Sequence, residues 1–202
     1  MTPAWMMALV LFSVVMSFTP GPNNLMVTSS GLTHGVRRTL PLIFGVMGGF
    51  CVLMLVSAAG VGALLLADPR AAFVLRLVGA GYMLWMAWKL WRSRPAVDVE
   101  ARPPLRAWHG ATLQLVNPKA WMMAVAAVSI YAAPAPNFGL ALLIITAVIE
   151  AFSLAAMLTW AGFGAGLRAA LGAPGRIRRV NQAMAVLAAL TAALIFFWEQ
   201  AP

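Results

Sequence analysis

The sequence predicts an all-α polytopic membrane protein, with six transmembrane helices arranged as two inverted three-helix repeats in which the first and fourth helices are broken. Three observations lead there. Of the 202 residues, 62% are apolar and 9% charged, with a mean hydropathy of +0.88, against about 45–50% apolar and about 25% charged in soluble domains. The few charges leave apolar stretches between them, long enough to cross a hydrocarbon core of roughly 30 Å, which takes about 20 helical residues. Two proline–asparagine interruptions also recur about half a chain apart. A soluble globule is excluded, and the length leaves nothing for an extramembrane domain.

The first 36 residues carry no charge, so they lack the basic n-region of a secretory signal and read as a retained first helix. Arg37 and Arg38 follow, then 29 uncharged residues up to Asp68. As one helix, that stretch covers about 43 Å at 1.5 Å per residue, so it must tilt or project its ends from the core. Gly45 and Gly49 give it a small-xxx-small face for close helix contact. Asp68-Pro69 reads as the N-cap and first position of a third helix running to Trp91, with Lys89, Arg92 and Arg94 at its end.

Ser93 to Arg106 carries three prolines, Asp98, Glu100 and several arginines, and is the one polar linker of any length. It divides a single transporter domain, 1–202, into a first repeat (1–92), a linker (93–107) and a second repeat (108–202). In the second repeat, Trp108–Ala132 reads as a fourth span and Pro134 with Pro136 as a tight exit. Phe138–Gly166 reads as a fifth span and Val180–Trp198 as a sixth, with Arg168, Arg176, Arg178 and Arg179 between them. Basic residues therefore fill the loops after spans one, three and five, and the positive-inside rule puts both termini outside.

This distribution also accounts for the net charge of +9 without nucleic acid as a partner. The single cysteine, Cys51, excludes a CxxC relay, an internal disulfide and a thiolate cluster. His34 and His109 lie beside loop charges and do not suggest a metal site, so no metal or cofactor is expected. An enzyme would need a nucleophile or metal constellation, and there is no HExxH or Gly-x-Ser-x-Gly.

Two places resist uninterrupted helix. In the first span, Thr19-Pro20-Gly21-Pro22-Asn23-Asn24 removes two backbone donors. In the fourth, Asn117-Pro118-Lys119 interrupts an apolar run. Pro22 and Pro118 are 96 residues apart, and the residues after them match loosely. Three spans per repeat is odd, so successive repeats cross the membrane in opposite senses. The segment after each break begins with unpaired N–H groups and a positive dipole end, which a substrate carboxylate would satisfy. Asn23, Asn24 and Asn117 add amides able to donate to a carboxylate or accept from an ammonium. The plainer alternative is a pair of kinks whose freed carbonyls the asparagines cap.

Lys119 lies roughly 15 Å along its helix from the linker side, where a lysine costs about 2.5–3.5 kcal/mol. It is either a counter-charge for a substrate carboxylate or a structural cation, snorkelling or paired with Glu150. Glu150 is the one acid well inside a span, far from either helix end. Burial disfavours the ionised form of such a group unless a cation compensates, which suits a proton carrier or an ammonium ligand; the alternative is a structural partner of Lys119 or a protonated acid hydrogen-bonded in the bundle. Arg76 reads as an interfacial anchor, and Tyr82, Trp85, Trp88 and Trp91 as packing and interfacial residues.

Pro20-Gly21-Pro22-Asn23-Asn24, then Gly31-Leu32-x-His34-Gly35 and Gly45-x-x-Gly48, resemble the opening of the LysE/RhtB family of amino-acid exporters. Gly79-Ala80-Gly81-Tyr82-Met83-Leu84-Trp85 with Lys89 and Leu90, and later Asn117-Pro118-Lys119-Ala120, resemble its third and fourth spans. The resemblance runs in order along nearly the whole chain. It implies a six-helix exporter of amino acids or close derivatives from the bacterial cytoplasm across the inner membrane, driven by a proton or sodium gradient; a homodimer is compatible with it. Members of that family often carry an aspartate just after the Gly-x-x-Gly step of the second span. Here Gly49 stands there, followed by Phe50, so a neutral amino acid is the expected cargo.

The expected site is therefore Pro20, Gly21, Pro22, Asn23, Asn24, Asn117, Pro118 and Lys119 for the substrate, and Glu150 for coupling, operating by alternating access. A small-ion transporter or a membrane assembly partner without amino-acid cargo is the competing expectation. Saturable competition by amino acids separates the two.

Overall fold

The computed structural model describes residues 2–60, 67–92, 104–171 and 174–197. Every regular element among them is helical. In chain order these are α1 (Pro3–Phe18), α2 (Pro22–Ala58), α3 (Pro69–Trp91), α4 (Ala107–Val116), α5 (Pro118–Ala127) running into a π-helical turn (Val128–Ala132), α6 (Phe138–Leu171) and α7 (Pro174–Phe197). Five of the helices begin on a proline. The first N–H of a helix has no intrahelical partner, so proline at that position removes an orphan donor that lipid could not satisfy. At α3 the expected cap forms: Asp68 Oδ1 accepts from the N–H of Arg70 at 2.8 Å and of Ala71 at 3.4 Å.

Both expected interruptions are present, between α1 and α2 and between α4 and α5. Several boundaries differ from the sequence expectation. The first turn after the break falls at Gly35, whose φ of 77° and ψ of 169° divide α2 into two limbs. Arg37 and Arg38 then open the second limb instead of forming a loop. Glycine takes that left-handed φ without the Cβ clash that other residues meet. The second limb also stops at Ala58, where the N–H groups of Ala59 and Gly60 bond back to Leu55 and Ser57 and Gly60 has φ 83°. The long tilted helix to Asp68 is thus replaced by a shorter one, and residues 61–66 lie outside the described residues. At the other end of the chain, α6 continues to Leu171 and α7 begins at Pro174. Charge therefore marked a loop where arginines sit within helical turns.

The linker residues 93–103, with Arg94, Asp98 and Glu100, fall outside the described residues, as do Trp198 and the side chains of Arg76, Tyr82 and Lys89. Trp85, Trp88 and Trp91 are exposed on α3.

Among the described residues, two helices, Pro22–Ala58 and Phe138–Ala170, are long and apolar enough to cross a membrane. The α4–α5 pair, bent by 74°, makes a third if taken as one span. Leu11, Val15, Phe44, Leu55 and Leu143 are each more than half exposed, an outward apolar surface suited to lipid. α2 packs mainly on α6 and α4, α1 lies against α6, and α3 pairs with α7.

Close approach at glycines fixes these crossings. A Cβ on Gly45 would collide with the backbone of Ala107; one on Gly110 would stand 2.5 Å from Leu42 O and 2.7 Å from Val46 N. The second limb of α2 therefore meets α4 backbone to backbone, through the small-residue face expected of Gly45 and Gly49. The first limb meets α6 the same way, with Gly31 against Ala161 and Gly164 against Thr28 and Leu32. Lipid is as apolar as the side chains, so such van der Waals contact carries helix association. Gly45→Val is expected to destabilise the protein by about 3 kcal/mol, the upper end for overpacking. A Cβ at Gly48 meets nothing within 4 Å, so Gly48→Val should unfold at the wild-type temperature in detergent. Equal unfolding temperatures for the two variants would contradict this packing.

Candidate functional site

Proline restricts the residue before it to extended backbone. Thr19 (ψ 128°) and Gly21 (φ −165°) precede Pro20 and Pro22, and Asn117 (ψ 104°) precedes Pro118; all three are extended. Each break thereby exposes the carbonyl end of one helix and the amide end of the next.

The first break is partly closed by its own asparagine. Asn24 Nδ2 donates to the carbonyls of Ser17 (2.9 Å) and Thr19 (3.0 Å), ending α1. No side chain caps the start of α2. At the second break, Asn117 Oδ1 accepts from the backbone N–H of Lys119 at 3.1 Å and so caps α5. The expected capping of freed carbonyls thus describes Asn24, whereas Asn117 caps an amide instead.

The two breaks meet. Asn117 Nδ2 donates across to Asn23 Oδ1 at 3.3 Å and within its own segment to Gln114 Oε1 at 3.5 Å. Lys119 Nζ donates to Thr19 O at 2.9 Å. Its chain lies over Gly21, where a Cβ would stand 3.3 Å from Cδ and 3.4 Å from Nζ. The residue types in the first break therefore make room for the cation of the second.

Between them lies a cavity of about 50 Å³, several times the volume one water needs. Its polar lining includes Asn23, Asn24, Gln114, Asn117, Lys119 and Glu150, and Gly21 and Pro22 also face it. The rest of the wall is mainly soft and apolar, with Met16, Met47, Phe50, Met123 and Met157. Pro20 and Pro118 do not line it; Pro20 is exposed and Pro118 buried, and their part is to shape the backbone.

Glu150, on α6, is 8% exposed. Its Oε1 accepts from Cys51 Sγ at 3.6 Å, while Oε2 is buried without a partner. Lys119 and Glu150 line one cavity yet bond to different groups, so they are not the simple ion pair that was one sequence expectation. The cavity joins a cation, helix-end dipoles and amides to a carboxylate, a set suited to a zwitterion. Among the described residues no group of three or more His, Cys, Asp or Glu could hold a metal ion.

Sequence reasoning missed Gln114, buried at 2% exposure, although a glutamine within an apolar run is itself a signal. It also missed Ser17 and Ser153, whose hydroxyls lie 3.2 Å apart beside the cavity, and the carbonyl of Thr19. Small hydroxyl residues are too common in membrane helices to stand out.

The family profile described as LysE type translocator matches residues 14–197. The chain is 34% identical over 201 residues to a cysteine/O-acetylserine efflux protein of Salmonella typhimurium, covering 98% of this chain and 100% of that one. It is 34% identical over 161 residues to a protein of the same description from Klebsiella pneumoniae, covering 80% and 82%. No solved structure matches.

Proposed function

The chain belongs to the LysE type translocator family, and from that membership we propose that it exports small neutral amino acids by alternating access, driven by a proton or sodium gradient. It is an amino-acid exporter of the bacterial inner membrane and not an enzyme. The observation that carries the finer reading is the cavity shared by both breaks, which Lys119 and Glu150 both line. The substrate carboxylate meets Lys119 with the amides of Asn23, Asn24 and Asn117, at the helix ends shaped by Pro20, Gly21, Pro22 and Pro118. Glu150 binds the ammonium or exchanges it for a proton.

Packing supports the neutral preference. A Cβ at Gly49 would stand 2.9 Å from Ala111 Cα and 3.1 Å from Gln114 Cβ, so α4 leaves no room for a second acid there. One carboxylate balances one ammonium, whereas a dicationic substrate would bring a charge with no partner. Cysteine and O-acetylserine, named for the relatives, are the first cargoes to test.

The six-span, two-repeat organisation (1–92 and 108–202, joined by 93–107) is supported by contact between corresponding helices, α3 with α7 and the second limb of α2 with α6 at Cys51 and Glu150. In this arrangement the arginines at 37, 38 and 168–179 face the cytoplasm and both termini face out.

The test is uptake of radiolabelled cysteine into inverted vesicles under an imposed proton or sodium gradient, with a panel of amino acids as competitors. The expected result is saturable uptake, stimulated by one gradient and inhibited by neutral amino acids far more than by lysine. Non-saturable uptake without competition would favour an ion pathway.

A further inference from the structure

We propose that Cys51 is a positioning residue for Glu150: its thiol holds one carboxyl oxygen so that the other is presented to the substrate ammonium. The inference rests on the ammonium-binding role proposed above for Glu150. Cys51 lies on the second limb of α2 and does not line the cavity, while Glu150 on α6 does. The thiol donates to Oε1 at 3.6 Å. Oε2, on a side chain 8% exposed, is buried without a partner on a residue that lines the cavity, so one oxygen of the carboxylate is left for a further donor.

The terminal torsion of a glutamate is broad and roughly two-fold. A free carboxylate in the cavity would therefore spread over orientations, and ligand binding would have to collapse that spread. A donor on the side away from the cavity removes the spread beforehand. A thiol is a weak donor, so the tether orients the carboxylate without competing strongly with an arriving ammonium. A methyl in its place would fill much of the volume but leave both oxygens untethered.

Cys51 is the only cysteine, so the S–H stretching band of the whole protein reports this one bond. In reconstituted protein the band is expected at lower frequency in wild type than in Glu150→Leu. Counterflow of radiolabelled cysteine, kept reduced, should show Cys51→Ala raising KM about fivefold, the effect of one modest hydrogen bond, with maximal rate within twofold. Cys51→Ser should restore the wild-type KM. In a Glu150→Gln background Cys51→Ala should add nothing, because an uncharged amide gives the ammonium no oriented partner to lose. An S–H band indifferent to Glu150, or a serine variant as impaired as alanine, would overturn the proposal. Impaired Glu150→Gln beside unaffected Cys51→Ala removes the positioning role alone; unaffected Glu150→Gln removes the ammonium site and this inference with it.

Discussion

Lys119→Met is expected to raise the KM for a neutral amino acid by roughly 10- to 100-fold, the range for losing a hydrogen bond to a charged group. Among the described residues Lys119 is the one cation lining the cavity, and methionine keeps the length of the chain over Gly21 while removing the ammonium. Folding should be largely spared. The cap on α5 uses the backbone N–H of residue 119, which the substitution retains, although the bond to Thr19 O is lost. Initial-rate uptake by inverted vesicles reads the effect, and the unfolding temperature in detergent controls for stability. A KM equal to wild type would leave Lys119 with only its structural bond to α1.

Glu150→Gln is expected to abolish gradient-driven accumulation while preserving exchange of labelled for unlabelled substrate. Glutamine matches the shape and can still accept from Cys51, so the α2–α6 contact survives, but it can neither release nor take up a proton. The accumulation ratio under an imposed gradient should fall to about one, since without coupling no step converts the gradient into work. Counterflow should persist with a weakened KM. Full accumulation by this variant would move coupling away from the cavity altogether.

Both interruptions are legible in the sequence because they follow from local chemistry. Proline lacks a donor and constrains its predecessor wherever it stands, so Thr19, Gly21 and Asn117 could be expected to be extended before any fold was known. The Asp68 cap is legible for the same reason. Charge was a poorer guide to boundaries. Arg37 and Arg38 mark the neighbourhood of a turn, but Gly35 makes it. Gly60, not Asp68, ends the helix that begins there. Pro174 starts α7 ahead of the arginines that suggested a loop.

The site divides along the same line. That Asn117 caps the next helix follows from three adjacent residues. That Lys119 reaches Thr19 O, or Cys51 reaches Glu150, depends on groups 100 and 99 positions apart. Such pairings are set by how α2, α5 and α6 cross, and the glycines that set those crossings say only that something comes close, not what.

The Asn117 amide has a mechanical consequence. One end of it holds its own segment and the other grips Asn23 at the first interruption, so the two interruptions are pinned together here as well as where Lys119 reaches Thr19. Displacing one interruption relative to the other must draw these pins from their sockets. An insertion of one residue at either interruption would therefore unseat both at a stroke.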